Sequence, residues 1–459
     1  MKLILLSGGS GKRLWPLSND ARSKQFLKVL DNGQGAFESM VQRVWAQLNN
    51  VGLEKETVIA TSKSQVDMIK NQLNNQSDLI VEPSRRDTFP AIALAAAYFY
   101  TVKKASIEEV VSVLPVDPYV HDNFFEKVKE MESVIYNSDS DIALLGVQPT
   151  CPSTKYGYIV PEKERNNSLD FLPVNRFTEK PSEEVARELI NDNALWNCGV
   201  FAFKLGYIID ILKEKGLPFD YEELLTHYDQ LPKISFDYEV VEKASNIVVL
   251  PYNGYWKDLG TWNSLTEEMS TNHMGKGILG NECKDTHLIN ELDIPVTVLG
   301  VSNLVVVASP DGILISEKQA STQIKEIVNN INNRPMYEER RWGWYKVLDH
   351  TKNDNSYEVL TKRIGILKGK NLSYQTHNLR NELWTIIKGE GILALNGVLR
   401  GVKQGDVVQI KQGDYHAIKA ISDIEIIEVQ SGSELIEEDI VRLYTEWQDI
   451  ENECFSFSK

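Results

Sequence analysis

The sequence predicts an α/β domain with a mostly parallel sheet, then a short β connection, then an all-β barrel. Two patterns carry this. Up to about residue 263, apolar strand-like runs alternate with amphipathic segments, whereas beyond about Arg341 nearly every apolar run is short and bounded by a glycine turn. The first pattern is a βαβα order, which buries helices against both faces of a sheet whose strands run the same way. The second fits antiparallel strands joined by tight turns. A length of 459 residues accommodates two or three separately cored domains.

In chain order the first domain, 1–263, reads KLILL, ESMVQRVWAQL, TVIAT, SQVDMIKNQL, SDLIVE, PAIALAAAYFYTVKK and VVSVLP. In such sheets ligands sit beyond the carboxyl ends of the strands, which places the loops at Gly8, Glu82 and Asp117 on one common edge. Residues 264–330 change to β-branched runs such as IPVTVLG, LVVVAS and GILIS around the turn SPDG, a small β connection or partial solenoid, with a helix expected only at STQIKEIVNNI. The polar stretch 331–345 reads as a linker, and 346–459 as the barrel (GILKG, WTIIKGEGILAL, VVQIKQGD, IEIIEVQ).

Composition narrows the partners. Lys and Arg total 49 against 65 Asp and Glu, a net charge of −16, which disfavours nucleic acid and anionic membranes. A cluster of cations near the N-terminus is therefore a local device for a small anion. No apolar run approaches the roughly 20 residues of a membrane helix, and MKLILLSGG has no cleavage site after a long apolar core, so a cytoplasmic location is expected. Cys151, Cys198, Cys283 and Cys454 lack CxxC spacing and suggest neither a disulfide framework nor a zinc cluster.

The most informative stretch is KLILLSGGSGKRLWPLSNDARSK. Glycines 8, 9 and 11 remove the Cβ atoms that would hold a polyanion away from backbone N–H groups, and Lys12, Arg13 and Lys24 add charge. It is not a P-loop, because Leu6 stands where the first glycine belongs and Arg13 follows Lys12. Nor is it a dinucleotide fingerprint, because Leu14 replaces the third glycine.

GGSGKRLWPLS followed by SKQF resembles the signature GGxGxRLWPLS and KQF of the mannose-1-phosphate guanylyltransferases. The resemblance spans essentially the whole chain and implies a Rossmann-like nucleotidyltransferase domain. It also implies an activity: GDP-mannose and pyrophosphate formed from GTP and mannose 1-phosphate, by in-line attack of the sugar phosphate on the α-phosphorus. Two anions must be forced together, so the reaction calls for Mg²⁺ between them and for Lys and Arg on the departing charge.

Residue by residue, the resemblance makes Gly8, Gly9, Ser10, Gly11 and Lys12 the nucleotide loop and Arg13 and Lys24 the cations on the leaving pyrophosphate. Asp117 in LPVDP matches a PxD metal ligand, and Asp258 in WKDLGTW matches the aspartate of a W-x-D-x-G-[ST]-W block; capping a turn is the alternative role for either. Glu179 and Lys180 match an EKP element in which lysine clamps the sugar phosphate and glutamate accepts from sugar hydroxyls. Gly157 in KYGYI and Asn197 in LWNCGVF match the sugar pocket, while Lys155 stands where many members carry glycine or a smaller residue. VEPSRRDTFPAIA resembles EPxxRNTAPAI near the base and ribose, which brings in Glu82, Arg86, Asp87 and Thr88. Asp87 replaces an asparagine, and its carboxylate is suited either to accept from guanine N1–H and the N2 amine or to orient Arg86.

The barrel carries a second constellation. Gly369, Gln375, His377, Glu382 and Gly389 follow the first cupin motif with Gln for its first histidine, and Gly405, Gly413 and His416 follow the second, with Lys411 and Ala420 as departures. Glutamine there is typical of the cupin of type II phosphomannose isomerases. The resemblance thus implies a divalent ion, Zn²⁺, Mn²⁺, Fe²⁺ or Co²⁺, on Gln375, His377, Glu382 and His416. It offers mannose-6-phosphate isomerisation as a second activity, although QTHNLRNELW keeps Arg380 and Trp384 and loses two histidines to Asn378 and Leu379. Alternatives are a nucleotidyltransferase for a different sugar 1-phosphate with a non-catalytic cupin, and a nucleotide-sugar-binding regulator without turnover. The C-terminal half permits a homodimer.

Overall fold

Alternation of side chains along β1 (Lys2–Ser7) sends Leu3 and Leu5 to one face of a sheet and Ile4 to the other, and a separate hydrophobic core grows on each face. The computed structural model describes residues 1–9, 11–19, 22–162, 170–331, 333–353, 357–436 and 439–456; Ser10 of the expected phosphate loop lies outside the described residues. Two compact units form: Met1–Leu14, Ser23–Asn272 and Lys318–Thr322 in the first, Trp15–Arg22, His273–Glu317 and Gln323–Lys459 in the second.

The first unit is built on a nine-stranded sheet. With β2 (Thr57–Ser62), β3 (Asp78–Glu82), β4 (Val110–Pro115), β5 (Ile142–Val147), β6 (Gly157–Pro161), β7 (Leu172–Thr178), β8 (Leu195–Lys204) and β9 (Ile247–Tyr252), its order is β3-β2-β1-β4-β8-β5-β9-β7-β6. Strands β3, β2, β1 and β4 are parallel, β8 runs against β4 and β5, and β9 is parallel to β5. The parallel set brings the chain beyond β1, β3 and β4 to one edge, as expected for Gly8, Glu82 and Asp117.

Helix α1 (Met40–Asn50) starts in a capping box between Ser39 and Gln42, and it shares the Leu3 core with α2 (Val66–Gln72) and α4 (Asn123–Ser138). Helix α3 (Thr88–Thr101), apolar nearly all round, lies in the Ile4 core. No helix among the described residues is long and apolar enough to cross a membrane.

In the second unit, His273–Gly275, His287–Asn290 and Leu304–Ser309 pair in parallel, and so do Gly277–Leu279 and Val296–Val298, giving stacked ladders of a short solenoid. The turn SPDG then closes an antiparallel hairpin onto Gly312–Glu317. The helix expected at STQIKEIVNNI is instead a series of single turns, Gln319–Gln323, Ile324–Ile327 and Val328–Asn330. Two six-stranded sheets make the barrel. Residues 331–345, expected as a linker, carry its first strand, Tyr337–Arg340, which pairs antiparallel with Gly343–Asn353. The polar letters YEER hide a strand in which Glu338 and Glu339 are buried.

Candidate functional site

Where β1 ends, Gly8 and Gly9 expose their backbone, and no heavy atom lies within 4 Å of where a Cβ would stand. Gly9 takes a φ of +109°, a conformation glycine adopts without strain. A single 3₁₀ turn, Lys12–Leu14, leaves Arg13 exposed and buries Leu14, and a second turn, Lys24–Phe26, carries the other cation. Lys24 Nζ lies 2.9 Å from Asp117 Oδ2 and 2.9 Å from Asp258 Oδ1. The two carboxylates meet because Trp256–Asp258 pairs antiparallel with Pro118–Val120, which sets Asp258 opposite Pro118. Gly260 leaves room for this, since a Cβ there would stand 2.8 Å from Asp258 Oδ2.

Burial alone would lower the Lys24 pKa, but Asp117 and Asp258 outweigh it and hold the ammonium above the usual lysine range. Burial likewise disfavours ionised Asp258; Lys24 first, then Arg13 and Lys155, keep its carboxyl below the usual carboxylate range. A pair of carboxylate oxygens gathered round one positive charge is the hard-donor set that Mg²⁺ takes, so Asp117 and Asp258 fit that ion.

The residues expected to line a sugar pocket also come together. A Cβ on Gly157 would overlap Glu179 Oε2, so glycine is what lets the Glu179 carboxylate lie against that strand. Lys180, at a φ of +44°, donates its N–H to Tyr156 O at 3.3 Å and pairs through Nζ with Glu179 Oε1. Glu179 Oε2 is buried without a hydrogen-bond partner among the described residues, an acceptor positioned for a hydroxyl. Asn197 donates from Nδ2 to Asp237 Oδ1 at 2.7 Å and accepts from Gly199 N–H at 3.0 Å. Tyr156, Trp196 and Trp256 pack into an aromatic wall, tilted for Tyr156 and Trp196 with ring centroids 4.8 Å apart and edge to face for Tyr156 and Trp256 at 5.5 Å.

Asp237 was not foreseen, because the two acidic residues of SFDYE have no informative spacing. Burial, then Glu179, pushes its carboxyl up to about 6, against the opposing pull of Asn197 and Lys180. Between its ordinary value of 3.8 and about 6 the folded protein therefore binds more protons than the unfolded chain, so stability falls as pH rises through that window. Urea unfolding of wild type and Asp237→Asn at pH 4.5 and pH 7 reads this as a difference. The variant should gain about 2 kcal/mol relative to wild type over that interval, and an unchanged difference would contradict the assignment.

Among the residues expected to face a nucleotide, Glu82 is buried and accepts from Tyr228 OH at 2.6 Å. Burial, only partly offset by that bond, raises its pKa. Arg86 is held by Leu231 O at 3.1 Å and Asp229 Oδ1 at 3.3 Å. Asp87 does not orient Arg86: it caps α3, accepting from Thr88 N–H at 2.8 Å, and Thr88 Oγ1 accepts from Phe236 N–H at 2.8 Å. Tyr228 and Asp229 escaped the sequence reading because they lie far along the chain in an irregular turn.

A buried polar network under the loop was also missed. Gln65 Oε1 accepts from Thr61 Oγ1 at 3.1 Å and Ser7 Oγ at 3.3 Å, its Nε2 donates to Ser23 Oγ at 2.9 Å, and Ser23 Oγ donates to Gly9 O at 3.1 Å. It ties the ends of β1 and β2 to the residue before Lys24. Gln65→Leu would strip these partners from buried hydroxyls and should cost about 1–3 kcal/mol in urea unfolding; a loss under about 0.5 kcal/mol would show that the network is slack.

In the barrel, His377, Glu382 and His416 are buried with ligand atoms within 4.8 Å of one another, the metal-capable group among the described residues. His377 Nδ1 donates to Asp439 O at 2.6 Å and His416 Nδ1 to Asp414 O at 3.0 Å, which turns both Nε2 lone pairs inward. His416 Nε2 is buried, 3.6 Å from Glu382 Oε2, and has no hydrogen-bond partner among the described residues. Gln375 stands beside them with its amide nitrogen 3.4 Å from His377 Nε2 and its oxygen accepting from Ser373 Oγ at 2.7 Å, so an amide rotation is needed to offer the oxygen to an ion. Burial, only partly offset by Glu382, lowers the His377 pKa to about 4 and keeps the ring neutral. Glu382 also accepts from Arg380 Nε at 3.0 Å and Trp384 Nε1 at 3.1 Å. The donor set fits a borderline divalent ion.

A parallel-sheet edge with a glycine loop, a lysine and two convergent carboxylates defines a nucleotidyltransferase. A family model described as Nucleotidyl transferase matches residues 2–274, and one described as Mannose-6-phosphate isomerase C-terminal matches residues 329–445. The chain belongs to the nucleotidyl transferase family and, within it, to the mannose-1-phosphate guanylyltransferases. It is 32% identical to the mannose-1-phosphate guanylyltransferase of Salmonella montevideo over 96% of this chain and 98% of that one. With the mannose-1-phosphate guanylyltransferase of Escherichia coli strain K12 the identity is 30%, covering 96% and 97%. Among solved structures, one described as mannose-1-phosphate geranyltransferase from Thermus thermophilus superposes with a TM-score of 0.59 at 29% identity, covering 72% of this chain and 99% of that one.

Proposed function

We propose that this chain joins GTP and mannose 1-phosphate into GDP-mannose and releases pyrophosphate. The observation that carries the proposal is the Lys24 ammonium held between Asp117 and Asp258 on the sheet edge that also bears the glycine loop. Mg²⁺ on those aspartates supplies the charge that lets two phosphate groups approach. Gly8, Gly9, Gly11 and Lys12 bind the triphosphate, with Ser10 in the same loop, and Arg13 and Lys24 neutralise the β- and γ-phosphates as they leave. Lys180 holds the attacking sugar phosphate, and Glu179, with Gly157 and Asn197 shaping the pocket, accepts from the sugar hydroxyls. Glu82, Arg86, Asp87 and Thr88 face the nucleoside, where the uncommitted oxygen of Asp87 accepts from guanine.

Initial rates of pyrophosphate release with GTP, ATP and dTTP against a panel of sugar 1-phosphates test this reading. GTP with mannose 1-phosphate should exceed every other pair by about tenfold or more in kcat/KM, and a preference for ATP or dTTP would overturn it. For the barrel, the proposal is a Zn²⁺, Mn²⁺, Fe²⁺ or Co²⁺ ion on His377, Glu382 and His416 with Gln375 as fourth ligand. A coupled assay between mannose 6-phosphate and fructose 6-phosphate with each metal separates an isomerase from a barrel that the ion merely stabilises.

A further inference from the structure

Asn197, expected to contact a sugar, has little left to offer one. Its Oδ1 accepts from Gly199 N–H at 3.0 Å and its Nδ2 donates to Asp237 Oδ1 at 2.7 Å, so both ends of the amide are held and its orientation is set by the two partners. Asn197 is 8% exposed and lies opposite Gly157 in the pairing of β8 with β6. What this amide orients is a carboxyl. Asp237 sits on the short helical turn Phe236–Glu239, where Ser235 Oγ accepts from Tyr238 N–H at 3.3 Å. Asp237 Oδ2 takes no side-chain hydrogen bond among the described residues.

Several contacts tie that turn to Glu179 and Lys180, all inside the compact unit of the main sheet. A Cβ on Gly157 would overlap the Glu179 carboxylate and stand 3.3 Å from Asn197 Cβ, so Glu179 and the Asn197–Asp237 pair flank one bare strand position. The charge of Glu179 disfavours ionised Asp237 and that of Lys180 favours it, which puts the three groups within electrostatic reach of one another. The Lys180 ammonium lies 5.9 Å from the ring centroid of Tyr238, the residue after Asp237. Glu179 is itself a buried side chain, 5% exposed, whose Oε2 has no hydrogen-bond partner among the described residues. A buried acceptor without a donor is destabilising until a ligand supplies one. Two carboxyls with oxygens uncommitted, beside a lysine, match a ligand that carries one anionic group and several hydroxyls.

We propose that Asp237 is a specificity-determining residue: held by Asn197, its carboxyl accepts from one hydroxyl of the sugar 1-phosphate while Glu179 Oε2 accepts from another. The proposal deepens the guanylyl-transfer reading given above and rests on it for the identity of the sugar. A pocket built to hydrogen-bond a substrate hydroxyl rejects the analogue that lacks it, because its own polar group is then left unpaired.

The test compares kcat/KM of full-length wild type, Asp237→Ala, Asp237→Asn and Glu179→Ala for mannose 1-phosphate and for each of its monodeoxy analogues. Wild type should lose about ten- to hundredfold on the analogue lacking the hydroxyl that faces Asp237, the range of a hydrogen bond to a charged group. Asp237→Ala should show that loss on mannose 1-phosphate itself and no further loss on that analogue, while the other analogues keep their wild-type penalties. Glu179→Ala should erase the penalty of a different analogue. Asp237→Asn keeps the volume, but its oxygen still takes the Asn197 bond and turns an NH₂ group to the sugar in place of an acceptor, so it should fall between wild type and alanine. KM for GTP should stay within about twofold of wild type in both Asp237 variants.

A residue that only shapes the pocket would lower kcat/KM on every sugar alike with the penalties intact. That pattern, or an Asp237→Ala value within about twofold of wild type on mannose 1-phosphate, would overturn the proposal. Equilibrium binding adds a readout without turnover, and it carries the test if Asp237→Ala fails to fold. The ratio of the Kd for GDP to that for GDP-mannose should shrink by about threefold or more in Asp237→Asn, with the Kd for GDP unchanged; an unchanged ratio contradicts the proposal. If wild type accepts a different sugar 1-phosphate, the substrate reading fails, while the deoxy analogues of the accepted sugar still decide the role of Asp237. A wild type that turns over no sugar 1-phosphate would overturn both.

Discussion

Asp258→Asn is expected to lower kcat for pyrophosphate release by about a thousandfold and to raise the Mg²⁺ concentration needed for half-maximal rate. About 4 kcal/mol of barrier corresponds to that loss, within what a metal-held charge contributes when two anions must meet. The amide keeps the volume and one acceptor oxygen but removes the charge that Lys24 and Arg13 stabilise in this carboxyl. Lys24→Met makes the complementary prediction. Taking away the ammonium, 2.9 Å from each aspartate, removes the nearest counter-charge of both carboxylates. The variant should therefore lose kcat while binding Mg²⁺ more tightly, the opposite of Asp258→Asn. Titrations of rate against Mg²⁺ for both variants check this, and shifts of the same sign in both would break the assignment.

Lys180→Met should raise KM for mannose 1-phosphate by about a hundredfold, with a much smaller effect on KM for GTP. A charge-assisted bond to phosphate is worth about 1.5–3 kcal/mol, and the upper part of that range corresponds to the predicted change. The Lys180 side chain is half exposed and pairs with a Glu179 that is only 5% exposed, so the lysine is fixed at its base and open at its tip. Burial, which would lower its pKa, is outweighed by Glu179 and Asp237, and the ammonium stays charged above the usual lysine range. Steady-state kinetics with each substrate varied in turn separate the two constants. A rise in GTP KM equal to that for the sugar phosphate would place Lys180 on the wrong substrate.

The order of β1 to β4 and helices α1 to α3 was legible because hydrophobic periodicity reports local structure directly. KLILL, TVIAT, SDLIVE and VVSVLP all became strands of the main sheet. Convergence of Asp117 and Asp258 was not legible from spacing: it depends on pairing between Pro118–Val120 and Trp256–Asp258, a long-range contact that only the resemblance implied. Asp237, Gln65 and Tyr228 were invisible for a related reason. Each sits in or beside a short turn where a polar letter reads as surface, and each acquires its role from a partner distant in sequence. Tyr337–Arg340 shows the converse error, a polar composition taken for a linker although tertiary packing buries its two glutamates. In the barrel, motif spacing located His377, Glu382 and His416, whereas the amide of Gln375 took an orientation that spacing does not encode.

Product analysis by mass spectrometry puts the central claim to the most direct test: the full chain incubated with GTP, mannose 1-phosphate and Mg²⁺, beside Asp117→Ala and Asp258→Ala under the same conditions. Wild type should form GDP-mannose and pyrophosphate in equal amounts, and each variant should lose nearly all of both. Turnover within about threefold of wild type in either variant, or a different nucleotide sugar as the main product from a mixed pool of sugar 1-phosphates, would contradict the account.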